Sequence, residues 1–155
     1  MASYGFKLYF SKSLDREEMR RRITAFPDCR PDPDGPDMYW ADWVHFGLGN
    51  LNLAHTQKEI HHALGLEVGD FYVSLKVFVP DEEAFFQKWD RALDLLAFGE
   101  DAVALKEFGF PMLLQKDGKL TLDSSEKGMS AYYRDYVLSK RSAELAPFDE
   151  LKEVD

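Results

Sequence analysis

Four histidines and one cysteine are the side chains whose chemistry is easiest to imagine in this chain. His45, His55, His61 and His62 invite a metal reading. On a helix, His61 and His62 would point about 100° apart and could not both face one ion. A zinc-hydrolase helix needs two His at i and i+4 with a Glu between them. Glu59 and His62 stand three apart and could chelate from one face, but nothing nearby completes a ligand set. Cys29 lies in a proline-rich loop beside Arg30, a neighbour that would lower a thiol pKa; no histidine is close in sequence. As the only cysteine, it allows neither an internal disulfide nor a cysteine zinc cluster. Ser124 and Ser125 stand in no nucleophile-elbow context. The run Gly47-Leu48-Gly49-Asn50 lacks the third glycine and following helix of a phosphate loop. Glu82 and Glu83 read as first-turn helix acids rather than an acid/base pair. The reading is therefore of a protein that is not an enzyme, with no catalytic residue, no metal ligand set and no cofactor. A small metal-dependent enzyme using the histidines is the alternative.

A second constellation is suited to binding. Asp28, Asp32, Asp34, Asp37 and Asp42 fall within one short stretch, bordered by Tyr39, Trp40 and Trp43. Rings supply buried anchors and acids steer encounter, which is what a surface for a basic protein needs. Asp32, Asp34, Asp37, Trp40 and Asp42 are the first choice for partner contact. Glu144, Asp149 and Glu150 of an acidic tail are the second. The plainer reading is a solvated loop with one tryptophan in the core, because Trp40 and Trp43 differ by an odd step along a strand. Acids outnumber bases 28 to 19, for a net charge of −9. That balance argues against nucleic acid and anionic membrane as partners, since both require clustered Lys and Arg. No apolar run approaches the ~20 residues of a membrane span. The longest, at 95–98 and 110–114, are core-sized. The first ten residues show no signal-peptide pattern, so a cytoplasmic protein is expected.

The elements that must position these residues follow from periodicity. Residues 4–10 alternate as a strand, and Ser13 is placed to cap a helix at 14–25 with Met19, Ile23 and Phe26 on one stripe, ended by Pro27. Residues 27–37 form a stiff proline loop. Residues 39–46 alternate as a strand, Gly47 to Asn50 offer turn chemistry, and Leu51, Leu53 and His55 alternate again; these predict a hairpin. Thr56 would cap a short helix through Leu64, closed by Gly65. Phe71 to Val79 is a strand apolar on both faces and hence central. Pro80-Asp81-Glu82-Glu83 opens a helix at 81–97 carrying Phe85, Phe86, Trp89, Ala92, Leu93 and Leu96. Ala102 to Lys106 is a short strand, and two further strands turn on Asp117-Gly118. Residues 130–141 form a helix with Tyr132, Tyr133, Tyr136 and Val137 apolar, before the tail at 143–155. The expectation is an α+β fold in one domain, 1–155. Its core at 1–124 is a mostly antiparallel sheet of six to seven strands, with the two main helices on one face. Residues 125–155 are a C-terminal helical extension with an acidic tail.

The order of these pieces carries a resemblance. The opening YGFKLYFSKSLDREEM, the strand FYVSLKVFV, the acid-capped amphipathic helix and then DAVALKEFGFPMLLQKDGKLTLDSS resemble a family of small bacterial immunity proteins. These accompany swarming-inhibition and other polymorphic contact-dependent toxins. The resemblance spans about residues 4–124 and rests on strand and turn residues. It implies a non-catalytic immunity or inhibitor protein that neutralises a cognate toxin by direct binding. It carries over no functional residue. The acidity adds that the toxin domain would be basic. A structural homodimer, docked through the Tyr-rich C-terminal helix, is the third reading.

Overall fold

The computed structural model describes residues 2–51, 54–97, 99–106 and 109–152. Strand β1 (Ala2–Ser11) leads to helix α1 (Arg16–Thr24), then β2 (Arg30–Pro31), β3 (Met38–Ala41) and β4 (Val44–Asn50). Helix α2 (Ala54–Leu64), β5 (Val68–Val79) and helix α3 (Glu82–Leu96) follow. The chain ends with β6 (Ala102–Lys106), β7 (Phe110–Lys116), β8 (Lys119–Asp123), helix α4 (Ala131–Lys140) and β9 (Glu144–Ala146).

Alternation decides which side each strand residue takes. Phe6, Leu8 and Phe10 of β1 share one face with Phe71, Val73, Leu75 and Val77 of β5, Phe46 of β4 and Leu122 of β8. Met19 and Ile23 of α1, Trp89 and Leu93 of α3, and Tyr133 and Val137 of α4 pack on that face. Each large side chain so buried contributes about 1.5–3 kcal/mol. Tyr9, Val68, Val103 and Leu105 form a smaller cluster on the other face, under Ile60 of α2 and Leu66.

All nine strands of the described residues join one sheet, in the order β2-β3-β4-β5-β1-β6-β7-β8-β9. Every pairing is antiparallel except β8 with β9. The fold is thus α+β on a mostly antiparallel sheet, wider than the six to seven strands expected. The two extra strands are short ones, in the proline loop and in the tail, where no alternation announces them. The helix packing also differs from expectation. α1 and α3 do share a face, but α4 joins them there and α2 covers the other face. The extension is therefore not purely helical, because β9 completes the sheet beside β8.

Local chemistry moved several boundaries. Asp15, not Ser13, caps α1, accepting from the Glu17 N–H. α2 begins at Ala54, so His55 is helical rather than extended; Leu53 lies outside the described residues, as do Phe98 of the apolar run at 95–98 and the last three residues of the tail. Asp117-Gly118 turns the β7–β8 hairpin as expected, both at positive φ. The β3–β4 hairpin turns at Asp42-Trp43 instead of at Gly47 to Asn50, with φ of 46° and 71°. Gly47 and Gly49 serve closeness rather than turning. A Cβ at Gly47 would come within 2.6 Å of Ser74 Oγ, and one at Gly49 within 2.5 Å of the Tyr72 ring. That turn also breaks the odd-step argument about the tryptophans. Trp40 is half-buried against His45 and Phe78, Trp43 is 50% exposed at the hairpin tip, and the buried tryptophan is Trp89.

Candidate functional site

The N-terminal turn of α3 and the outer face of α4 enclose a groove of about 680 Å³. Asp81 caps α3 by accepting from the Ala84 N–H at 2.8 Å. Its cap leaves Glu82 and Glu83 exposed in the first turn, where the helix dipole favours acids. Ser130 caps α4, accepting from the Tyr133 N–H at 3.3 Å. That phase turns Tyr133 and Val137 inward and brings Tyr132, Asp135 and Tyr136 to the groove. Arg141 then ties the end of α4 to α3, donating to both Asp90 oxygens at 3.1 and 2.9 Å and to Asp94 at 3.4 Å.

The groove floor is aromatic. The Phe86 ring lies 5.4 Å from Tyr136 and 6.4 Å from Tyr132. Tyr132 is 74% exposed, an outlay of ring surface that nothing in the chain covers among the described residues. Acids line the rim, namely Glu82, Glu83 and Asp135 beside the capping Asp81, and among the described residues no Lys or Arg lines it. Burial, with the charges of Asp90 and Glu83, pushes the Tyr136 hydroxyl above its ordinary value against the opposing influence of Arg141. Tyr136 thus stays a neutral donor throughout the physiological range. The ammonium of Lys140 already sits 5.2 Å from the Tyr136 ring centroid, so this ring face takes a cation within its own chain.

The residues marked in the sequence are arranged differently. Asp37 accepts from Arg16 at 3.1 Å and from Arg20 at 3.0 Å, pinning the proline loop to α1. Burial alone would raise its carboxyl, but the two guanidiniums hold it below the ordinary value. Asp32 accepts from the Asp34 N–H at 2.9 Å and meets the His45 ring at 2.8 Å; together these hold its carboxyl low. Asp42 is paired with Lys88 and Arg91 of α3. Asp34 alone of the four carries no side-chain partner among the described residues. Trp40 packs edge-on to His45, 4.6 Å between centroids. Glu144 lies on β9, and Asp149 and Glu150 follow it, all exposed. The two groups therefore flank opposite edges of the sheet, eight strand spacings apart or about 38 Å if it were flat. They do not form one patch.

The other sequence candidates are dispersed too. Burial pushes the Cys29 thiol up rather than down, opposite to the expectation from Arg30. His45 bonds Asp32, while His61 and His62 stand exposed on α2. Among the described residues no three His, Cys, Asp or Glu side chains gather as a metal would need. No helix among them is long and apolar enough to cross a membrane.

The components of the groove were visible in the sequence, the acids as a helix first turn and the tyrosines as an apolar stripe. Their meeting was not, because it depends on α4 returning beside α3 across more than forty residues. Comparison with protein-family models, with curated proteins and with solved structures finds no match for the chain.

Proposed function

We propose that this chain is a non-catalytic binding protein of the immunity type, which neutralises a basic toxin by direct contact, and that the contact is made by the groove between α3 and α4. The observation that carries this reading is a ring-floored groove whose charged rim is entirely acidic. A lysine or arginine of a partner entering it would meet the open Tyr132 face, with Tyr136 beside it already holding Lys140, and then Glu82, Glu83 and Asp135 without displacing an existing ion pair. The proline loop supports the reading less well. Asp32, Asp37 and Asp42 already serve internal partners, so a basic partner would have to compete with Arg16, Arg20 and Lys88 for them. Docking a second copy of this chain on the groove would set acid against acid across a molecule of net charge −9.

The test is whether a large reading frame adjacent to this gene encodes a toxin and whether this chain protects cells that express it. The wild type and Asp34→Asn should both protect, whereas Glu82→Lys/Glu83→Lys/Asp135→Lys should not, although it still folds cooperatively with a melt lowered only by the loss of the two first-turn acids. Protection by the triple variant would move the contact elsewhere. Failure of the wild type to protect would end the immunity reading itself.

A further inference from the structure

The opposite face of the sheet carries a cavity that the groove does not involve. Its floor can be read from strand register. His45, Lys76 and Gly5 lie in one row across β4, β5 and β1. Gly47, Ser74, Lys7 and Leu105 make the next row, and Gly49, Tyr72, Tyr9 and Val103 the third. Of these rows, Gly5, Lys7, Tyr9, Ser74, Lys76 and Leu105 line the cavity itself, and Lys106 joins them from the end of β6. Thr56 and Glu59 of α2 wall one side, and Gly109 with Leu151 wall another, joined by a 3.1 Å bond from the Leu151 N–H to the Gly109 carbonyl. The enclosed volume is about 540 Å³, within the range of small-molecule sites.

Charge makes this cavity unusual for the molecule. In a chain with 28 acids and 19 bases, Lys7 and Lys76 meet no carboxylate among the described residues. They occupy diagonal positions on adjacent antiparallel strands, about 7–8 Å apart at the backbone. The Lys7 ammonium sits over the Tyr72 ring at 5.1 Å. Beside them, the walls and floor contributed by Tyr9, Leu105 and Leu151 are largely apolar. Glu59 sits on the α2 side, so an anionic head belongs at the lysine end. The Tyr9 hydroxyl, pushed up to about 12 by burial and then by Tyr72 and Glu59, remains protonated there.

We infer that this cavity binds a small amphipathic anion, its carboxylate, sulfonate or phosphate head held between Lys7 and Lys76 and its apolar body against Tyr9, Leu105 and Leu151. The site lies on the face away from the α3–α4 groove and stands whether or not that groove binds a toxin.

The test uses 8-anilinonaphthalene-1-sulfonate, titrated into the native full chain by calorimetry and fluorescence, with decanoate and inorganic phosphate as competitors. Saturable one-to-one binding is expected, displaced by decanoate and poorly by phosphate. Lys7→Gln/Lys76→Gln should weaken it more than tenfold and Glu59→Gln should tighten it, with thermal melts unchanged. Displacement by phosphate as readily as by decanoate would overturn the apolar half of the assignment. Equal affinity in the double-lysine variant, or no saturable binding to the folded wild type, would overturn the site.

Discussion

Asp123 closes β8 with no exposed surface, and its carboxylate is met from three directions. It accepts from the Ser125 N–H at 3.0 Å and hydroxyl at 2.8 Å, from the Gly128 N–H at 2.9 Å and from the Phe148 N–H at 3.1 Å. One side chain thereby fastens the turn before α4 and the segment after β9 to the sheet. Burial alone would raise this carboxyl, but the four donors outweigh it and hold it below its ordinary value. Asp123→Ala should lower stability by about 3 kcal/mol in guanidinium unfolding, because it strands several buried donors at once. The pH dependence has a definite sign. A carboxyl with a lower pKa folded than unfolded stabilises fully above the unfolded value, and this contribution fades as pH falls from there through the folded value. Asp123→Asn should therefore flatten the loss of stability that sets in as pH falls below about 5, relative to wild type. Trp43 makes the opposite kind of case. Its φ of 71° is a conformation that bulky residues rarely adopt. Trp43→Gly should raise the unfolding free energy by about 0.5–1 kcal/mol; a fall would show that the exposed ring contributes packing that outweighs the strain. Sequence could mark the acids at 32–42 but not their partners, since Arg16, Arg20 and Lys88 reach them only through the fold.

At the level of elements, most of the helices and hairpins were legible because their periods and caps are local. Phe85, Trp89, Leu93 and Leu96 announce α3, and Asp117-Gly118 announces its turn. The β3–β4 hairpin was misplaced because glycine has two uses, and Gly47 and Gly49 here make room for Ser74 and Tyr72. Which helices share a face is a different kind of information. It depends on α4 docking beside α3, held by Arg141 on Asp90 and Asp94. Arg141→Ala should cost about 1–2 kcal/mol, since a bidentate, largely covered pair is lost. Hydrogen exchange should quicken in α4 more than in α1, and the groove's affinity for its partner should fall with it. Gly128 is a second such point. A Cβ there would overlap the Pro111 carbonyl, so Gly128→Ala should lower the melting temperature although its backbone is not left-handed.

For the whole molecule, composition points to a basic class of partner but does not say where such a partner would dock. Of the five aspartates between 28 and 42, Asp37 and Asp42 hold a loop and a hairpin to two helices, and Asp32 is taken up by His45 and its own turn. The acids left over on the groove rim lie elsewhere, and strand order, which separates the two ends of the chain's acidity, has no local signature. Association with a basic partner should accelerate at low salt in proportion to the rim charge; Glu82→Gln/Glu83→Gln should reduce the slope of log association rate against ionic strength, read by stopped-flow fluorescence. The margins of the sheet have a further consequence. Nine strands make a broad surface, yet it ends in β2, two residues closing on Pro31, and in β9, three residues long. Neither border offers a ladder long enough to recruit a neighbouring chain. Crowding such molecules together leaves strand addition almost no template, so any assembly they form must be built from side chains meeting face to face.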